Sequence, residues 1–99
     1  MQVQEIYLEV KGYSIRKSTA DILVARILTR AQVLSDYPAY TLKQLCGHEF
    51  WRKNIPEEER RVAGMFVLHE AAMGRLPIRR VDRAHEYPVY YRLITDFNY

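Results

Sequence analysis

Between Thr41 and Leu93 the chain carries a short helix signal, a long helix signal and a basic two-strand ribbon, in that order. This succession constrains the fold more than any other feature. The segment Thr41-Leu42-Lys43-Gln44-Leu45-Cys46-Gly47 starts on a hydroxyl that can cap exposed helix amides and ends on a glycine that tolerates positive φ. Pro56-Glu57-Glu58-Glu59-Arg60-Arg61 opens the longer helix, with proline favoured at the first helical position and carboxylates favoured by the dipole in the first turn; Gly74 stops it. Leu76 to Val81 and Val89 to Leu93 read as strands joined by the polar loop Asp82-Arg83-Ala84-His85-Glu86-Tyr87-Pro88. In the second strand, alternation places Val89, Tyr91 and Leu93 on one face, with Tyr91 toward the core and Tyr90 toward the surface.

The amino-terminal half is read the same way. Ile6, Leu8 and Val10 alternate with Glu5, Tyr7, Glu9 and Lys11, which predicts one strand buried on one side and ended by Gly12. Ser18-Thr19-Ala20-Asp21 has the form of a helix start. The helix it opens should run to about Leu34, burying Val24, Ile27, Leu28, Ala31 and Leu34, with Arg26, Arg30 and Gln32 on the opposite side. Ser35 to Tyr40 is a turn, since Pro38 cannot continue a helix and disfavours one at Tyr37. Phe50 and Trp51 are expected to anchor the turn between the second and third helices. Strand, three helices and two strands follow in order, and the first strand is expected to pair with the ribbon, because a lone hairpin is marginal.

Ninety-nine residues, 48% of them hydrophobic, suffice for one domain, and no repeat or Gly/Ser-rich linker divides residues 1–99. The single cysteine, Cys46, has no partner for a disulfide or a zinc site, and no secretory leader or membrane-length apolar run is evident, so a soluble cytoplasmic protein is expected. The net charge of +3 permits polyanion binding without demonstrating it. Its distribution is more informative: residues 75–99 hold five Lys/Arg against three Asp/Glu, so the largest local surplus falls on the ribbon.

Two glycines, Gly64 and Gly74, flank the apolar Met65-Phe66-Val67-Leu68, and Leu76-Pro77-Ile78 then begins the ribbon. With the element order, this resembles the winged helix-turn-helix superfamily, in particular small DNA-binding proteins of bacterial phages and plasmids. The resemblance covers about half the chain. It implies an α+β fold of three helices with a small antiparallel sheet, made of the amino-terminal strand and the carboxy-terminal hairpin wing. It also implies duplex DNA as partner and a small transcriptional regulator or mobile-element accessory factor as function. The third helix would enter the major groove with Arg60 and Arg61, while Arg79, Arg80, Arg83 and Arg92 would grip phosphates; Lys43, Arg52 and Lys53 would support the approach, and Tyr90 is a further contact candidate. Glu57, Glu58 and Glu59 oppose this arrangement, because carboxylates at that helix start repel phosphates.

At 100° per residue the third helix shows two apolar faces: Gly64, Val67, Leu68, Ala71 and Ala72 form one, and Val62, Phe66 and Met73 a stripe nearly opposite. The first strand or first helix can cover that stripe. Left uncovered, Val62, Phe66 and Met73 would form a protein interface. The alternative reading is therefore a protein-interaction module on the same fold, with a homodimer or a host protein as partner; a structural subunit of a nucleoprotein assembly is a third.

No enzyme is expected. Cys46 and His48 lack further ligands or partners, His69 and Glu70 are adjacent and point apart, and His85-Glu86 lies in a loop. There is no Gly-rich phosphate loop, nucleophile elbow or HExxH, and no metal or other cofactor is expected.

Overall fold

The computed structural model describes residues 5–35, 39–81 and 88–99. The chain is α+β, with four helices and two small antiparallel sheets among the described residues. Tyr7–Val10 (β1) and Tyr13–Arg16 (β2) form a hairpin with Val10 opposite Tyr13. Lys11 (φ 48°) and Gly12 (φ 82°) both adopt positive φ, as a two-residue hairpin turn matched to strand twist requires. The expected pairing of the first strand with the ribbon is therefore incorrect: Gly12 turns the chain, and β1 pairs with the next four residues instead. Val10 and Ile15 are buried, and Leu8 opposite Ile15 is half-buried.

Helix α1 (Lys17–Val33) leaves β2 without a gap and has no side-chain cap. The carbonyl of Ile6 accepts the Lys17 N–H at 2.7 Å, satisfying one exposed amide of the first turn, and Ser18, expected at the helix start, lies within the helix instead. The buried side of α1 is Thr19, Ala20, Leu23 and Ile27, while Val24, Leu28, Ala31 and Leu34 are half-buried. This face is rotated from the predicted one, and it brings Arg26 and Arg30 inward. Arg26 Nε donates to the Cys46 carbonyl at 2.8 Å, and Arg30 Nε to the Leu45 carbonyl at 3.0 Å. Two arginines read as solvent-facing thus satisfy the last carbonyls of the next helix, where a cation is also favoured by the dipole.

Tyr40–Thr41 (β3) leads into α2 (Leu42–Cys46), where Thr41 forms the expected cap. The Gln44 N–H donates to Thr41 Oγ1 at 3.2 Å, and the Thr41 N–H donates back to Gln44 Oε1 at 2.8 Å. Gly47, at φ 89°, ends α2 and begins α3 (His48–Asn54). A Cβ there would meet Arg26 Nη2 at 3.4 Å, which is tolerable contact, but the backbone conformation is one that side chains disfavour, and this is what favours glycine. The segment expected to be a turn is thus a fourth helix. Trp51 buries into the core, and Phe50 lies under the Arg26 guanidinium, 4.6 Å from its ring centroid.

The acidic triplet Glu57–Glu59 forms a 3₁₀ turn ahead of α4 (Arg60–Ala72), and Gly74 at φ 74° terminates the helix as expected. The buried side of α4 is Ala63, Phe66 and Val67, packed toward α1, the β1–β2 hairpin and the carboxy-terminal strands. Phe66 is 4% exposed and Val62 is half-buried against the core, so the second apolar stripe is covered from within; Met73 is exposed. Ile78–Arg80 (β4) and Tyr90–Leu93 (β5) form the predicted ribbon, and β3 adds to β5 as the third strand, giving the order β3-β5-β4. Tyr91 is 2% exposed and Tyr90 36%, as alternation requires. Among the described residues no helix is long and apolar enough to cross a membrane.

One polar cluster ties the amino-terminal hairpin to α4. Glu59 accepts two hydrogen bonds from the Arg16 guanidinium, each 2.7 Å, and one from the Thr19 hydroxyl at 2.9 Å. The Arg16 hydrogen bonds hold the Glu59 carboxyl below the usual carboxylate range, against burial, and Thr19 adds to the effect. Because the folded-state value is lowered, this stability is present above the ordinary Glu range, near pH 4.3, and is lost as pH falls through the lowered value. Glu59→Gln is expected to cost about 1.5–3 kcal/mol at neutral pH, the range for hydrogen bonds to charged groups. Urea unfolding of both proteins checks it: the difference should shrink as the wild-type carboxylate protonates, and parallel acid profiles would show that the Glu59 charge contributes nothing.

Candidate nucleic-acid interface

The ribbon's register decides what its outer face presents. Ile78 pairs with Leu93, Arg79 with Arg92, and Arg80 with Tyr91. Ile78 and Tyr91 point into the core, so Arg79 and Arg92 leave the sheet on its outer face, directly opposite each other, and both are exposed. Thr41 pairs with Tyr90 on the same face, and Thr41 also caps α2. Lys43 therefore follows only two residues behind the sheet. Among the described residues no carboxylate lies within ion-pair distance of Arg79, Arg80 or Arg92. Like charges placed directly opposite on neighbouring strands destabilise the pair by about 0.2–1 kcal/mol. Arg80, at the end of β4, is exposed beside Tyr91, whose hydroxyl is pushed up to about 12 by burial, with Arg80 acting in the other direction.

Arg79 and Arg92 line a groove of about 310 Å³ together with Leu93, Ile94, Thr95 and Asp96. A second, open groove of about 510 Å³ is lined by Lys43, His48, Glu49, Trp51, Arg52 and Arg60, where α2, α3 and the start of α4 meet. Lys43 and Arg52 are exposed there without an ion-pair partner among the described residues. Lys53 is engaged by Glu49 at 2.9 Å, but both ends are mostly exposed, so water screens the pair and a stronger anion can displace it.

The two arginines expected to lead the third helix differ. Arg60 is half-buried and its Nε donates to the Ile55 carbonyl at 3.1 Å, whereas Arg61 is exposed, with its guanidinium 5.8 Å from the centroid of the Tyr13 ring. Of the three glutamates, Glu59 is turned inward and neutralised by Arg16, leaving Glu57 and Glu58 exposed. Arg83 and Tyr87 lie outside the described residues. Among the three residues considered for a protein interface, only Met73 is fully on the surface.

Cys46 is buried, and burial pushes its thiol up to about 12, with Arg26 and Arg30 opposing the shift. At neutral pH it is a packed, protonated thiol. Thr95 and Asp96 are groove residues that the sequence reading did not single out; they follow the strand directly, and only the turn after β5 brings them beside Arg79. No known family model, curated protein or solved structure matches this chain.

Proposed function

We propose that this chain binds duplex DNA as a winged helix-turn-helix protein, with the outer face of the carboxy-terminal sheet as its main phosphate contact. The observation that carries this reading is the facing pair Arg79 and Arg92, exposed and without an ion-pair partner among the described residues, with Tyr90 on the same face and Arg80 exposed at the end of β4. The architecture supports it too. A helical unit is followed by a hairpin, and β3, between α1 and α2, pairs with the hairpin's second strand and so joins it to that unit. In this reading α4 is the recognition helix and α3 is an added helix in the turn before it.

The exposed Glu57 and Glu58 favour a reading with phosphate contacts on the sheet and on Lys43 and Arg52 rather than on the 3₁₀ turn. Arg61 is the member of the Arg60/Arg61 pair free to reach a base edge or backbone. The role would be that of a small regulator or accessory factor. Burial of Phe66 weakens the alternative of a docking module built on the α4 stripe.

Titration into labelled random-sequence duplex, followed by fluorescence anisotropy, tests the reading. Micromolar binding near 50 mM salt that falls steeply toward 200 mM is expected, since cation–phosphate contacts release counterions. Absence of binding at the lower salt removes the duplex reading.

A further inference from the structure

We infer that Arg79 and Arg92 form a single two-pronged seat for one phosphate group, and that filling the seat stabilises the sheet that carries it. This deepens the duplex-binding reading by naming the group the wing grips. The chemistry is shared by a backbone phosphodiester and by free inorganic phosphate.

The backbone bonds define the geometry. The Val81 N–H donates to the Tyr90 carbonyl at 2.8 Å, and the Ile94 N–H donates to the Pro77 carbonyl at 2.9 Å. In an antiparallel ladder hydrogen-bonded pairs alternate with non-bonded ones, so Arg79 and Arg92, midway between these two pairs, are themselves a hydrogen-bonded pair. Their Cα atoms are then about 5.5 Å apart and their side chains rise from the same face. Two guanidinium forks rooted this close can each turn a planar pair of N–H donors onto one tetrahedral anion. The Thr95 hydroxyl lines the same groove and can add a donor. Asp96 lines it as well.

Most of the other described arginines find a partner within the chain: Arg26, Arg30 and Arg60 donate to backbone carbonyls, and Arg61 lies by the Tyr13 ring. Arg16 is held by Glu59 at 2.7 Å and Arg75 by Glu70 at 3.1 Å. At the ribbon the two positive charges instead face each other, an arrangement that disfavours the empty sheet. A bound phosphate removes that repulsion, so binding and sheet stability are linked.

Melting of wild type, Arg79→Gln and Arg92→Gln in dilute chloride and in inorganic phosphate at matched ionic strength reads the linkage, and duplex anisotropy on the same proteins reads the source. In chloride each variant should melt a few degrees above wild type, because one of two repelling charges is gone. Phosphate should raise the wild-type midpoint and leave the variants nearly unmoved. Each variant should bind duplex several-fold more weakly, with a salt slope lower by about 1. Variants melting at or below wild type in chloride, or a phosphate effect equal in all three proteins, overturn the seat. Duplex binding that is undiminished in both variants overturns the seat and leaves the duplex reading standing. Phosphate-specific stabilisation without duplex binding keeps the seat and removes the duplex reading.

Discussion

Trp51→Ala is expected to destabilise the protein by about 3–5 kcal/mol, a large share of the roughly 5–15 kcal/mol available to a domain. Trp51 is 7% exposed and is the single anchor that α3 buries in the core, next to Ile55 at its end. Seven residues without a side-chain cap cannot sustain a helix in water, so α3 depends on this packing. The Trp51 ring also walls the groove between Lys43 and Arg52, so its loss should loosen the cations there as well. Thermal unfolding followed by circular dichroism checks the prediction: the midpoint should fall by roughly 12 °C or more. Because Trp51 is the only tryptophan, its emission in the wild type reports the same transition independently. A shift of only a few degrees would mean that α3 is held by something other than its tryptophan.

The second large effect concerns binding. Joint replacement of Arg79, Arg80 and Arg92 by Gln should weaken duplex affinity on the order of 100-fold near physiological salt and lower the salt slope by about 3. All three side chains are exposed and make no ion pair among the described residues, so the fold should survive their loss. That separates this variant from a core substitution, in which lost binding and lost folding are confounded. Anisotropy at several salt concentrations, with circular dichroism as the folding control, provides the measurement. Unchanged affinity in a well-folded triple variant would take the wing out of the interface and leave Lys43, Arg52 and Arg61 as the remaining contacts.

The Glu59 cluster bears on how such an interface is presented. Three glutamates at the start of the long helix oppose phosphate binding if all face solvent. The structure turns Glu59 inward to Arg16 and Thr19, so the carboxylate closest to α4 fastens the hairpin to the helix instead of projecting from it. What remains exposed, Glu57 and Glu58, disfavours phosphate at the helix start, so the proposed duplex contact is expected on the sheet instead.

Much of the local structure was legible from residue order. Thr41 capping α2, Gly74 ending α4, the two ribbon strands, and the inward Tyr91 beside the outward Tyr90 all follow from rules that act within a few residues: a side-chain oxygen satisfies nearby amides, glycine accepts positive φ, and strand side chains alternate. The arginines of the ribbon were legible for the same reason, since alternation alone places Arg92 beside Tyr90 on the outer face.

Tertiary structure decided who partners whom. Gly12 could end a strand or turn a hairpin, and only the burial of Val10 against the core together with Ile15 selects the hairpin. Phe66 reads as opposite the apolar face of α4 until strands and helix close over both sides. Arg26 and Arg30 look like solvent charges unless the end of α2 lies within reach, and Glu59 looks like a dipole-stabilising surface acid unless Arg16 stands beside it. The face-to-face placement of Arg79 and Arg92 likewise needs the register between two strands. Caps, turns and alternation are local energies written in adjacent residues, whereas register, helix rotation and ion pairing are set by the total apolar burial and polar satisfaction of segments far apart in the chain.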